Sequence, residues 1–205
     1  LSSEIFKGIG KKTAQRIVKK FGNDTFKIID NSPGLISKIK GVNRKQQNSL
    51  LNSWEEQRGL RDVMTFLRGI GISHAFAQKI YAKHGMNSVS LINANPYLLT
   101  EFSGIGFLTA DGIAINLGFD KNSPHRAAAG LLYMLEQQEL NGHTCYPLFE
   151  FLDKTASELI IRKNILEESL NQLIDDSLIH CAEQNDENGR KQKFITRMRY
   201  YRSEQ

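Results

Sequence analysis

The stretch Gly8-Ile9-Gly10-Lys11-Lys12-Thr13-Ala14 decides how the chain is read, because its opening turn returns as Gly41-Val42-Asn43, Gly71-Ile72-Ser73 and Gly104-Ile105-Gly106. Each turn has the form glycine, apolar, small. Their last residues are 33, 30 and 33 positions apart. Four, seven, eight and eleven residues beyond them stand Ala14, Ile17, Val18, Phe21; Gln47, Leu50, Leu51, Trp54; Ala77, Ile80, Tyr81, His84; and Ala110, Ile113, Ala114, Leu117. Gln47 and His84 apart, these are apolar positions on one face of a helix.

A larger duplication lies over this one. A shift of 63 residues places the first turn on the third, the second on the fourth, Gly22 on Gly85, Ile29 on Ile92 and Pro33 on Pro96. The four turns therefore form two pairs. Within each pair a stretch broken by proline reads as short helices joining two hairpins.

Glycine supplies positive-φ backbone and close approach, and the central Ile or Val plugs the turn into a core. The turn then delivers a helix N-terminus whose first amides lack internal partners, a site for an anion. If the anion is a nucleic-acid phosphate, binding follows the backbone and reads no bases.

Composition bounds the rest. The chain has 205 residues, 40% hydrophobic and 24% charged, enough for one large domain or two to three small ones and unlike a disordered or membrane chain. No run approaches the roughly 18 to 20 apolar residues that span a bilayer. Two cysteines, Cys145 and Cys181, are too few for a disulfide framework. The chain opens at Leu1 without a basic-then-apolar leader, and we expect an internal or trimmed, cytoplasmic segment.

The net charge of +5 is unevenly spread. Residues 1–60 carry 12 Lys and Arg against 5 Asp and Glu, whereas residues 120–205 carry 11 against 14. Gly10 is followed by Lys11, Lys12 and Arg16, and Asn43 by Arg44 and Lys45, so amides and cations converge there. Asn43 departs mildly from the glycine pattern, since asparagine tolerates the left-handed conformation. Ser73 is followed by His74 and Gly106 by Phe107 and Leu108. The expected phosphate site, a DNA-phosphate site if the anion is nucleic acid, is therefore Gly8, Gly10, Lys11, Lys12, Arg16, Gly41, Asn43, Arg44 and Lys45. The hairpins at Gly71, Ser73, Gly104 and Gly106 are expected to be structural or to face a protein.

The four turns in phase resemble the helix-hairpin-helix motif, arranged as two tandem pairs over residues 1–119. The likeness is to the N-terminal region of RecD/TraA-type DNA helicases. It is carried by the first turn, by Trp54-Glu55-Glu56-Gln57-Arg58, by Asn95-Pro96-Tyr97, by Gly104-Ile105-Gly106-Phe107-Leu108-Thr109-Ala110-Asp111, and by Arg126-Ala127-Ala128-Ala129-Gly130-Leu131-Leu132-Tyr133. The resemblance implies a parent enzyme that uses ATP and Mg²⁺ to move 5′ to 3′ along single-stranded DNA in recombination or repair. It implies DNA, single-stranded or at a duplex junction, and the helicase motor of the same chain as partners. No Gly-x-x-x-x-Gly-Lys-Ser/Thr phosphate loop occurs here, so no cofactor is expected in this segment. The competing class is a non-catalytic structure-specific DNA adaptor or a protein-interaction scaffold.

Residues 44–68 read as one long helix, with Gly59 a possible bend and Leu60, Val63, Met64 and Leu67 as core. After the turn Asn122-Ser123-Pro124, Ser123 caps a helix that begins at Pro124, buries Ala128, Leu131, Leu132 and Leu135, and stops at Asn141-Gly142. A short extended piece follows at 143–146. Helices are expected over 148–159 and 164–176, with Phe151, Leu152, Leu159, Leu166, Leu170 and Leu173 inward. Strands are expected over 177–183 and 191–201. That order describes a winged helix. The whole is mainly α, two paired units at 1–58 and 59–119 followed by a small winged-helix-like α+β domain at 120–205.

The last helix before the wing carries Glu167, Glu168, Asp175 and Asp176 and so faces phosphates badly. The wing is basic, with Arg190, Lys191, Lys193, Arg197, Arg199 and Arg202 among Phe194, Tyr200 and Tyr201. It reads either as a nucleic-acid contact or as an edge strand guarded by charge. Helix-hairpin-helix DNA glycosylases carry an Asp beyond such a turn; Asp120 lies 14 residues past Gly106, at a shorter spacing and without a partnering Lys. No catalytic residue is assigned. The five His residues show no metal-ligand spacing.

Overall fold

Positive-φ glycines fall where the repeat places them. The computed structural model describes residues 10–185 and 191–198. Gly41, Gly71 and Gly104 have φ of 83°, 89° and 98°, a region that costs an L side chain about 1–2 kcal/mol. The middle residues Val42, Ile72 and Ile105 are buried. The third residue is a helix N-cap with extended backbone, φ −73° at Gly10, −85° at Asn43, −65° at Ser73 and −86° at Gly106. In the three turns described whole, only the first glycine needs left-handed backbone. Asn43 is accommodated as a cap, not for left-handed tolerance.

Element boundaries repeat at the same 63-residue shift. Helix α1 (Lys11–Phe21), a 3-10 turn (Gly22–Asp24), α2 (Thr25–Asn31) and a second 3-10 segment (Pro33–Lys38) lead into α3 (Arg44–Gly69). Then α4 (His74–His84), Gly85–Asn87, α5 (Ser88–Ala94) and Pro96–Glu101 lead into α6 (Phe107–Asn116). Gly22 and Gly85 have φ of 52° and 56°. The Thr25 hydroxyl donates to the Gly22 carbonyl at 2.7 Å, as Ser88 does to Gly85 at 2.6 Å. Gln47, the polar exception in its apolar register, donates to the Pro33 carbonyl at 3.0 Å.

The chain divides into two compact units, Leu1–Val89 and Ser90–Gln205. The first has a core of Ala14, Ile17, Ile29, Ile36, Val42 and Leu50, flanked by Phe21, Leu51 and Trp54. Each fully buried Ile or Leu contributes about 2 kcal/mol of transfer free energy. Val18 is 46% exposed, so the buried face of α1 is narrower than its spacing suggests. Helix α3 runs unbroken through residues 58 and 59, where the repeat had suggested a division. Gly59 lies inside this continuous helix. It is small because Met86 packs on it; an added Cβ would lie 1.9 Å from Met86 Cε.

In the second unit, α7 (Pro124–Leu140), β1 (Tyr146–Pro147), α8 (Leu148–Leu159), α9 (Lys163–Asp175), β2 (Ile179–Asn185) and β3 (Lys191–Arg197) follow α6. The sheet is antiparallel in the order β1-β3-β2, with Ile195 opposite both Tyr146 and Cys181. Ser123 caps α7 by accepting from the Arg126 amide at 3.2 Å, with Pro124 in the first turn. The buried face of α7 is Ala127, Leu131, Met134 and Leu135, while Ala128 and Leu132 are only half-buried. They pack with Phe151, Leu152, Leu166, Leu170, Leu173, Ile179 and Ile195. Strand β2 begins two residues later than expected because Ser177 is left-handed, φ 57°. The fold is mainly α with a small winged-helix-like α+β domain.

Candidate nucleic-acid interface

Two helix starts that are distant in sequence are linked in the first unit. Arg16, one turn into α1, donates from a guanidinium nitrogen to the Gly41 carbonyl at 3.2 Å. Gln46, in the first turn of α3, donates to the Thr13 hydroxyl at 3.4 Å. The N-termini of α1 and α3 are thus held side by side. Gly10 and Asn43 are both exposed, as are Lys11, Lys12, Arg16, Arg44 and Lys45. Among the described residues none of these five cations lies within ion-pair distance of a carboxylate. Lys40, directly before Gly41, is exposed at the same corner and went unremarked in the sequence because it precedes the turn.

The two helix starts offer different donors. Gly10 has no side-chain cap, so the first-turn amides of α1 before Thr13 have no side-chain acceptor there. Asn43 forms a capping box: its Oδ1 accepts from the Gln46 amide at 2.8 Å, and Gln46 Oε1 accepts from the Asn43 amide at 3.2 Å. That leaves the amides of Arg44 and Lys45 as the donors at the second start. The helix dipoles and the exposed cations add positive charge at both helix starts.

Sixty-three residues on, the positions of Lys11, Lys12, Arg16, Arg44 and Lys45 hold His74, Ala75, Lys79, Phe107 and Leu108. The Lys79 ammonium sits 5.4 Å from the Phe76 ring centroid. Phe107 is buried, stacked between Tyr97 at 5.9 Å and Tyr133 at 4.9 Å. Leu108 is 66% exposed. The turn from Gly104 to Gly106 lines a cleft of about 540 Å³ that also holds Glu136, an unfavourable neighbour for phosphate. Gly71 and Ser73 keep the backbone of the motif without the paired lysines.

Comparison with known proteins bears on this directly. Residues 4–56 match the model of a SAM-like helix-hairpin-helix tandem, and residues 56–145 match the helix-hairpin-helix domain of the ATP-dependent RecD2 DNA helicase. The chain carries a RecD-type helix-hairpin-helix region. It is 30% identical over 141 residues to the ATP-dependent RecD2 DNA helicase of Deinococcus radiodurans. That match covers 68% of this chain and 20% of the relative, so the chain spans about a fifth of the length of the curated relative it matches.

Within the RecD-type region three residues from the segments that carry the likeness lock together. Arg126 donates to both carboxylate oxygens of Asp111, from Nε at 2.8 Å and from the terminal nitrogen at 3.0 Å. Tyr97 donates its hydroxyl to the same carboxylate at 2.7 Å. The other guanidinium nitrogen donates to the carbonyls of Lys121 at 3.0 Å and Leu159 at 2.8 Å. Burial alone would raise the Asp111 carboxyl, but the hydrogen bonds from Arg126 and Tyr97 overrule it and hold it below its ordinary value. The Asp111 hydrogen bond raises Arg126 against its own desolvation. Burial, then Asp111, pushes the Tyr97 hydroxyl well above its ordinary value. This is a structural clamp on α6 and α7, whose partners lie too far apart in sequence for periodicity to pair them.

The wing, which lies beyond the residues matched by the RecD2 model, differs from expectation. Strand β3 is central in the sheet, not an edge. Arg197, expected at a basic wing, is instead 22% exposed and paired with Glu139 at 3.3 Å and Glu136 at 3.6 Å. Lys193 remains exposed. Gly8, Arg190 and Arg199 lie outside the described residues. Among the described residues no helix is long and apolar enough to cross a membrane.

Proposed function

We propose that this region binds DNA through its phosphate backbone, without reading sequence, at the joined corner formed by Gly10 and Asn43. The observation that carries the reading is the Arg16 to Gly41 hydrogen bond, which sets two helix N-termini side by side with Lys11, Lys12, Arg44 and Lys45 exposed around them. Amides and dipoles there are fixed by the fold, so little ordering remains when a phosphate arrives. The name of the Deinococcus radiodurans relative, an ATP-dependent DNA helicase, supports DNA as the polyanion.

In this reading the chain is the accessory DNA-guiding region of a 5′ to 3′ helicase of recombination or repair. ATP and Mg²⁺ belong to motor domains outside these residues, and the motor is its partner in the same chain. The hairpins at Gly71 and Gly104 serve the fold; the buried Phe107 and exposed Leu108 favour a protein-facing role for the fourth.

Anisotropy titration with labelled duplex and single-stranded DNA over a range of salt tests this. With roughly 3 to 5 phosphate contacts the log-affinity should fall against log-salt with a slope of about −3 to −4 on duplex. Affinity that does not respond to salt, or no binding at low salt, contradicts it.

A further inference from the structure

The exposed face of α3 changes character along its length. Trp54, Arg58, Arg61, Thr65 and Arg68 are spaced by four, three, four and three residues and share one helix face. In the first half of the helix that face packs on the core through Leu50 and Trp54. In the second half the buried residues are Gly59, Val63 and Leu67 instead, which turns the arginines outward. Phe26, 53% exposed, stacks on Trp54 at 5.2 Å and 11°. The Arg61 guanidinium lies over the same indole at 5.7 Å. Asp30 engages the indole N–H at 2.7 Å and Arg58 at 3.6 Å.

Beyond Arg61 a groove of about 580 Å³ opens between α3 and α4. Leu60, Met64 and Tyr81 give it an apolar and aromatic lining; Arg61 and Arg68 give it its charge, and His74 lines it as well. No carboxylate lines it. The two arginines stand seven positions apart on α3, about 10 Å of helix rise. The arrangement is one aromatic surface bracketed by two guanidinium groups, with the uncapped N-terminus of α4 beside His74 at one end.

We propose that the groove between α3 and α4 takes an unpaired nucleotide of a single DNA strand. Its base rests against Tyr81 and Met64, and the flanking phosphates meet Arg61 and Arg68. The charge selects a polyanion. The aromatic floor selects one that carries free π-faces, which a strand has and a duplex hides in its stack. The groove volume suits one nucleotide-sized group. This inference rests on the DNA-binding reading above but uses none of the residues of the Gly10 and Asn43 corner, so the region gains a site that prefers unpaired DNA beside one that accepts any backbone.

Trp54 is the one tryptophan of the chain, and Arg61 links it to the groove. Titrating the whole chain with a short oligothymidylate should change Trp54 emission saturably, whereas thymidine monophosphate at the same nucleotide concentration should not. Variant affinities are then read by anisotropy of labelled DNA. Arg61→Ala with Arg68→Ala should weaken single-strand binding about tenfold and leave duplex binding within about twofold. Tyr81→Leu, which keeps the apolar volume, should weaken single-strand binding by a similar factor through lost stacking. Unchanged single-strand affinity in both variants overturns the proposal, as does equal loss on single strand and duplex. Polyglutamate displacing the oligonucleotide from the groove would make it a peptide site and overturn it too. Loss of all DNA binding in a Lys11, Lys12, Arg44 and Lys45 variant, with the groove variants unaffected, sinks the groove alone. Groove variants that act as expected beside an inert corner variant sink the corner and leave the groove standing.

Discussion

The Arg16 guanidinium donates to the Gly41 carbonyl at 3.2 Å across 25 residues of sequence, and this bond ties α1 to the turn that precedes α3. Gly41 is at φ 83°, and a Cβ there would lie 2.1 Å from the Arg16 nitrogen. Gly41→Ala should therefore cost about 1–2 kcal/mol from the backbone alone and push the guanidinium off the carbonyl. Thermal unfolding would show the loss. Gly10→Ala, where the backbone is extended and nothing lies within 4 Å, should cost much less.

Asn43 separates binding from folding. Aspartate caps a helix as well as asparagine does, so Asn43→Asp should keep the melting temperature within about a degree. It also places a carboxylate at the phosphate corner, which should weaken duplex binding by roughly 1 kcal/mol, about fivefold. Equal melting temperatures with equal affinities would remove Asn43 from the interface.

Acid should act through Asp111. Its folded-state acidity lies below the ordinary 3.8, so it contributes stability that is complete above that value and is lost as the pH falls through the lower, folded value. Asp111→Asn leaves Arg126 buried without its counter-charge and should cost about 3 kcal/mol at neutral pH. The gap in unfolding free energy between the two proteins should be flat from neutrality to about pH 4 and narrow below it. A gap that stays constant into strong acid would exclude the carboxylate as the source.

Ser123 offers a simpler test. Its hydroxyl caps α7 at the Arg126 amide, and Ser123→Ala should cost about 1 kcal/mol, read by denaturant midpoint with an unchanged slope.

The repeat was legible because a turn with one obligatory glycine, one buried plug and one N-cap leaves the same mark each time it is used. The 63-residue shift seen in the residues is the shift of the element boundaries. That cations follow the first two turns directly could be read from the residues, but the link between the two helix starts through Arg16 and Gly41 and through Gln46 and Thr13 could not, since it depends on how two helices pack. The Tyr97, Asp111 and Arg126 clamp was invisible for the same reason, as each partner looks like an ordinary polar residue on its own helix. On α7 the apolar residues Ala127 to Leu135 are nearly continuous, so spacing alone placed Leu131 and Leu135 correctly but named Ala128 and Leu132 where Ala127 and Met134 are buried. Arg197 read as free charge because its partners Glu136 and Glu139 lie on a helix some 60 residues earlier.

The corner itself is best tested by replacing Lys11, Lys12, Arg44 and Lys45 together with Ala and measuring duplex affinity against salt in the variant and the parent chain. The account predicts unchanged folding, at least tenfold weaker binding at low salt, and a salt slope shallower by about 2 to 4. Affinity and slope equal to those of the parent would contradict it.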